Sequence, residues 1–286
     1  MFKPLLRTSA FVHSFHLDEQ LTLLCDNHIQ VYDPATLEKT SQARLFEKDG
    51  LARSLTVGAE HIYCSDFIHL YILDKHSLQT VARLRLGEDL RSDICAAVVE
   101  EGGYVYAAMR NGAVARIPRC NWQPVEYFPL STTSSWAMIA APGSLFAGTV
   151  AGQLLILDTA TMSVERQIHA HRQNLKSLHL SGGVIATAGQ DKALALWDWR
   201  SGECRQLRKN THRKAFMIIG EWRDYLLTAS FACGEIKLWD RASLAEKAVL
   251  PIQPCLTGHA QIVGSSLFLA SREICGIDWL ALDEVM

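Results

Sequence analysis

The chain has 286 residues, 49% of them apolar and 20% charged, and its 28 Lys and Arg against 30 Asp and Glu leave a formal net charge of −2. That composition supports a sizeable core and carries no disorder signal, and the near balance of charge excludes a general electrostatic pull toward nucleic acid or an anionic membrane. No stretch reaches the roughly 18–20 uncharged apolar residues of a membrane span, and the N-terminal MFKPLLRTSAFVHSFHLDEQ lacks the unbroken apolar run of a signal peptide. The eight cysteines are scattered with no C-x-x-C pair, which sets aside a zinc knuckle and a compact disulfide framework. A reducing cytoplasmic or nuclear setting is the expectation.

In chain order, an apolar stub, Phe2–Arg7, precedes a first inner strand predicted over Phe11–Leu17. IQVYD then ends at Asp33, LYILD at Asp74, VARIP at Pro118, LLILD at Asp158, LALWD at Asp198, IKLWD at Asp240 and CGID at Asp278. The steps between these anchors are 41, 44, 40, 40, 42 and 38 residues. A period of about 40 residues is that of four short strands and their turns. The copy after His169 shows them best: LKSLHL, a turn at Ser181-Gly182-Gly183, VIATA, a turn at Gln190–Asp191, LALWD, a turn at Ser201-Gly202, and Cys204–Leu207. Seven such copies fall at about 9–47, 48–89, 90–130, 131–169, 170–209, 210–250 and 251–286. No segment keeps an apolar 3.6-residue period long enough for a substantial helix.

The last copy predicts strands over Thr257–Val263, Leu267–Ser271 and Ile274–Asp278, with too few residues left for a fourth. An open edge invites aggregation, so the stub Phe2–Arg7 is expected to supply the outer strand of the seventh copy.

With Trp197–Asp198 and Trp239–Asp240 as complete WD dipeptides, and Tyr32–Asp33, Leu73–Asp74 and Leu157–Asp158 as degenerate ones, the sequence resembles the WD-repeat β-propeller family over essentially its whole length. The fold expected is all-β: a single domain over 1–286, a seven-bladed propeller of four-stranded antiparallel blades closed by the N-terminal strand. The resemblance also implies a hydrogen-bonded set in the fifth blade, His171, Thr187, Asp191 and Trp197, with a structural role. The sixth blade keeps His212, Thr228 and Trp239 but has Cys233, a poor acceptor, at the turn position. His259, in a tempting Gly-His pair, falls within an inner strand by count.

No phosphate loop, nucleophile elbow or H-E-x-x-H motif occurs, and His169 with His171 reads as a structural neighbour pair, so neither catalysis nor a metal or cofactor is expected. The expected function is a non-catalytic interaction scaffold, a subunit of a hetero-complex that binds protein or peptide partners on one propeller face. It would neither bind nucleic acid generally nor enter a membrane. The loops leading into the inner strands offer Arg53, Arg91, Gln173, Lys176, Arg213 and Lys214, together with Trp136, whose residue type dominates interface energies when presented. Phe231, in a turn near Cys233, is a second apolar candidate. A first alternative is a phosphopeptide or acidic-motif reader similar to the F-box WD-repeat substrate receptors, which needs the arginines to converge on one pocket. A second is a small-molecule enzyme using the central channel, which needs converging carboxylates.

Overall fold

The structure, a computed structural model, describes residues 1–45, 54–66, 68–87, 95–130, 134–255, 258–271 and 275–285, without the side chains of 95, 96, 136 and 271. Twenty-eight β-strands form seven four-stranded antiparallel sheets, the blades of a β-propeller, and two 3-10 turns are the helical elements among the described residues. Within each blade from the first to the sixth the strands lie in sequence order.

One compact unit covers residues 1–66, 71–81 and 219–286. Its first blade runs Val12–Leu17, Leu21–Cys25, His28–Tyr32 and Lys39–Arg44 from inner to outer strand. All five residues of Leu21–Cys25 are buried whereas the outer strand is mostly exposed. Second strands therefore read as continuous apolar runs, as a strand covered on both faces must. Leu24, Ile29 and Val31 pack on Ile62, Cys64, Tyr71 and Leu73 of the second blade. Val12, Phe15 and Leu23 pack on Ala270 and Ile277 of the seventh.

The seventh blade has the order Lys3–Arg7, Gly276–Ala281, Ser266–Ser271, Gly258–Val263. The N-terminal strand is thus its outer strand, with Lys3 opposite Trp279 and Arg7 opposite Gly276. Gly276 is required there, because a Cβ would lie 2.1 Å from the Leu6 carbonyl oxygen.

The last periodic anchor needs correction. Pro118, Asp158, Asp198 and Asp240 each pair with the first residue of their second strand: Tyr104, Ser144, Val184 and Tyr225. In the seventh blade that place belongs to Ala281, opposite Ser266, so the final step from Asp240 is 281 − 240 = 41 residues. Asp278 sits three residues earlier, opposite Leu269 and Pro4, in an ion pair with Arg7 at 2.6 Å. Its carboxylate serves the N-terminal strand and heads no turn.

The other unit covers residues 67–70 and 82–218 and holds the third, fourth and fifth blades. Phe146, Leu154, Ile156 and Ile168 of the fourth blade pack on Leu175, Leu178, Ile185 and Trp197 around the fifth. A Cβ on Gly148 would lie 2.5 Å from Leu175 Cδ2, so the glycine sets how closely these blades approach.

Between third and fourth strands one turn recurs. The Oδ1 atoms of Asp33, Asp74, Asp158, Asp198 and Asp240 accept the N–H of Thr36, Ser77, Thr161, Ser201 and Ser243 at 2.7–3.0 Å. The N–H one residue further on returns to the Asp carbonyl, from Leu37, Leu78, Met162, Gly202 and Leu244. All five of these residues have positive φ, between 53° and 80°. In the third blade Trp122, φ 62°, closes the same turn on the carbonyl of Pro118 without a carboxylate. Turn amides hold Asp33, Asp74, Asp158 and Asp198 below the usual carboxylate range, Asp198 at about 2 with Arg205 assisting, and the Ser243 hydroxyl followed by its amide does so at Asp240.

Candidate partner-binding end of the fifth blade

At the end of the fifth blade where chain enters the inner strand, polar side chains hold three segments together. His171 precedes that strand, Thr187 lies in the buried second strand Val184–Gly189, Asp191 is in the turn that follows, and Trp197 is in the third strand. Trp197 Nε1 donates to Thr187 Oγ1 (3.0 Å), Thr187 lies 2.8 Å from His171 Nε2, and His171 Nδ1 lies 2.9 Å from Asp191 Oδ1. One arrangement of protons satisfies every group: the indole donates to the hydroxyl, the hydroxyl to Nε2, and Nδ1–H to the carboxylate. It requires a neutral imidazole. Burial accordingly keeps the His171 pKa below the ordinary histidine value, although Asp191 pulls the other way. Asp191 also accepts the backbone N–H of Arg172 (2.9 Å) and Ala193 (3.2 Å). Its carboxyl is held below the usual range by those amides and by His171, against the opposing effect of burial. Gly189 lies under this network, and a Cβ there would be 2.3 Å from both Asp191 Oδ1 and His171 Nδ1.

Further bonds fasten the surrounding loops. Gln190 N–H donates to the Asn174 carbonyl, and Thr211 donates to the Lys192 carbonyl through both N–H (3.0 Å) and Oγ1 (2.9 Å). The segment before the inner strand, the turn at 190–192 and the loop at 209–214 therefore form one braced surface. Arg172, Gln173, Lys176, Lys192, Lys209, Arg213 and Lys214 are all exposed on it.

Four of the expected partner-binding residues, Gln173, Lys176, Arg213 and Lys214, thus come together here. Arg53 and Arg91 lie outside the described residues. Trp136 lies in the strand Ser135–Ala141, with its side chain outside the description. Phe231 differs from expectation: it is 8% exposed, because it covers Gly258, where a Cβ would sit 2.4 Å from the ring. It is a packing residue of the sixth blade's turn. That turn is a 3-10 segment, Phe231–Cys233, closed by Gly234 at φ 70° and by backbone bonds from Cys255 to Phe231 and Ile252 to Gly234. Main-chain bonds thus fasten a turn that has Cys233 in place of an aspartate. Trp239 Nε1 still donates to Thr228 Oγ1 at 2.8 Å.

Arg172, Lys192 and Lys209 were not singled out from the sequence. A signal was there for one of them: CRQLRKNTHRK, 204–214, contains five Lys and Arg and no carboxylate. Among the described residues no group of three or more His, Cys, Asp or Glu is placed to hold a metal ion, and no helix is long and apolar enough to cross a membrane.

No family model matches the chain. Over 117 residues, 40% of the chain, it is 29% identical to the nuclear distribution protein nudF of Aspergillus flavus, and equally to that of Aspergillus oryzae. The match spans a quarter of the length of those relatives. Among solved structures, the computationally designed Ika8 protein superposes with a TM-score of 0.71 at 12% identity, covering 97% of this chain and 98% of that one. A chain in the crystal structure of the Mitotic Checkpoint Complex superposes with a TM-score of 0.81 at 11% identity, covering 96% and 90%. At such identities the likeness is one of fold.

Proposed function

We propose that this chain is a non-catalytic platform of the WD-repeat type that holds protein or peptide partners within a larger assembly. The observation that carries this reading is the braced, exposed end of the fifth blade: three loops fixed by side-chain and backbone hydrogen bonds, presenting polar and basic groups in a preset arrangement. Binding by such a surface costs little ordering of the loops. His171, Thr187 and Trp197 beneath it are buried, and all four members of the tetrad are engaged in hydrogen bonds. His171 next to Thr187 accordingly has a structural reading, since a hydrolytic nucleophile would need exposure. Propellers of this shape include a chain of a multi-protein assembly, the Mitotic Checkpoint Complex, and the partial relative is named for nuclear distribution, so cytoplasm or nucleus is the proposed setting. Gln173, Lys176, Arg213 and Lys214 are the proposed partner-binding residues of this end, and Arg53, Arg91 and Trp136 are proposed from the sequence alone.

The test is crosslinking mass spectrometry on the chain purified from cells, wild type against Trp136→Ala/Arg213→Glu/Lys214→Glu, after both are shown to fold. Crosslinks from 170–176, 190–193 or 209–216 to one specific protein, lost in the variant, are the expected result. Crosslinks confined to the opposite ends of the blades would move the face, and a chain with no specific partner would overturn the platform reading.

A further inference from the structure

We propose that the cationic end of the fifth blade, centred on Arg172, Lys192, Lys209 and Arg213, docks an acidic peptide: a run of Asp and Glu in an extended segment of a partner protein. This deepens the platform reading and rests on it. The four side chains stand on three separate segments that the bonds from Arg172 N–H to Asp191, Gln190 to Asn174 and Thr211 to Lys192 hold in register.

The nearby carboxylates are already committed. Asp191 is engaged by His171 and two amides. Asp198, at the other end of its strand, is engaged by its turn and by Arg205. Folding gains nothing from gathering exposed like charges, which repel one another weakly. Protection of a strand edge against aggregation is the usual reason for basic residues on an outer strand, and it accounts for Arg205 and Arg208. It leaves unexplained the four cations that lie off the strand.

The outer strand Cys204–Arg208 continues the same surface. All five of its residues are exposed. Arg208, opposite Leu194, occupies the register position of Ile168, opposite Leu154, and Leu250, opposite Ile236, which are both buried.

Cations spread over three loops match a series of separated negative charges better than one phosphate, which calls for guanidinium groups converging on a point. Single-stranded nucleic acid would be held by aromatic platforms as well as by charge. The exposed residues of 170–176, 190–193 and 204–215 include no aromatic side chain.

The test is fluorescence anisotropy of a labelled decapeptide of Asp and Glu with the full chain at low salt. The arms are wild type, Arg172→Glu/Lys209→Glu/Arg213→Glu, and a control of equal charge change on other outer strands, Lys39→Glu/Arg166→Glu/Lys247→Glu. All three are first checked by thermal unfolding. Wild type and control are expected to bind alike, the first variant about tenfold or more weakly, and affinity is expected to fall as salt rises. Equal weakening in both variants, or no binding by wild type, overturns the proposal. So does tighter binding of a peptide with one phosphoserine, or of a single-stranded RNA, than of the acidic peptide. Should the peptide fail while crosslinks to a partner persist at these loops, the acidic partner falls and the platform stands.

Discussion

At the scale of single residues, Thr187 carries two obligations at once. It is fully buried, and it is the hydrogen-bond partner of both Trp197 Nε1 and His171 Nε2. Thr187→Val keeps the shape and strands both groups, so a loss of about 2–4 kcal/mol is expected in urea unfolding. The histidines set a pH dependence. His171 is held neutral by burial, and His259, partly buried edge-on against Phe15 with His16 nearby, is pushed down to about 4 by desolvation. Each native pKa lies below the unfolded value near 6.5, so the unfolded chain takes up protons that the native one refuses. Stability is therefore fully present above about pH 6.5 and declines toward pH 4. Chemical denaturation at pH 7.5, 6 and 5 should show midpoints falling in that order, with a smaller fall in His259→Gln. The tetrad was legible through the resemblance to the WD-repeat family, whose residue types the fifth blade keeps at His171, Thr187, Asp191 and Trp197. Phe231 was misread because its burial depends on Gly258 lacking a Cβ, in a strand of the next blade. Arg172 and Lys192 were missed because only the bonds between loops bring them beside Arg213.

At the scale of the element, the recurring turn sets two energies against each other. Leu244 is 1% exposed and sits at φ 53°, a conformation that costs a residue with a Cβ roughly 1–2 kcal/mol. Leu244→Gly relieves that strain but removes a buried side chain, worth about 2–5 kcal/mol, and frees the unfolded chain. Burial wins, so a net loss of about 2 kcal/mol is expected in thermal unfolding. A gain in stability would show that backbone strain outweighs packing there. The aspartates of these turns were visible as a period, since each caps its turn within three residues. The leucines and methionine in left-handed conformation were not, because their side chains reward burial and give no local sign of a positive φ. Asp278 mimicked the period for a different reason: it is an acid on a strand, placed there to meet Arg7.

At the scale of the whole molecule, the seven copies were legible because the period and the apolar second strands repeat, and the closing strand because the last copy lacked a fourth. Removing residues 1–7 should leave the Gly276–Ala281 strand as an open edge and take away Leu5 and Leu6, which pack against the cluster of the seventh and first blades. A drop in Tm of roughly 10 °C, from a loss of several kcal/mol, and concentration-dependent light scattering are expected. A synthetic peptide of residues 1–8 should reverse part of both, and failure of the peptide to do so would show that the strand acts only as part of the chain. The same strand imposes an order in time. Lys3 pairs with Trp279, which is 279 − 3 = 276 residues later. At the usual pace of synthesis that is a wait of roughly 15–55 s between the making of the first strand and of its partner. Through that interval Pro4-Leu5-Leu6 leaves the ribosome unpaired, and a chain stalled before Gly276 never pairs it. The pairing of the outer strand of the seventh blade therefore marks a chain whose synthesis has passed the Gly276–Ala281 strand.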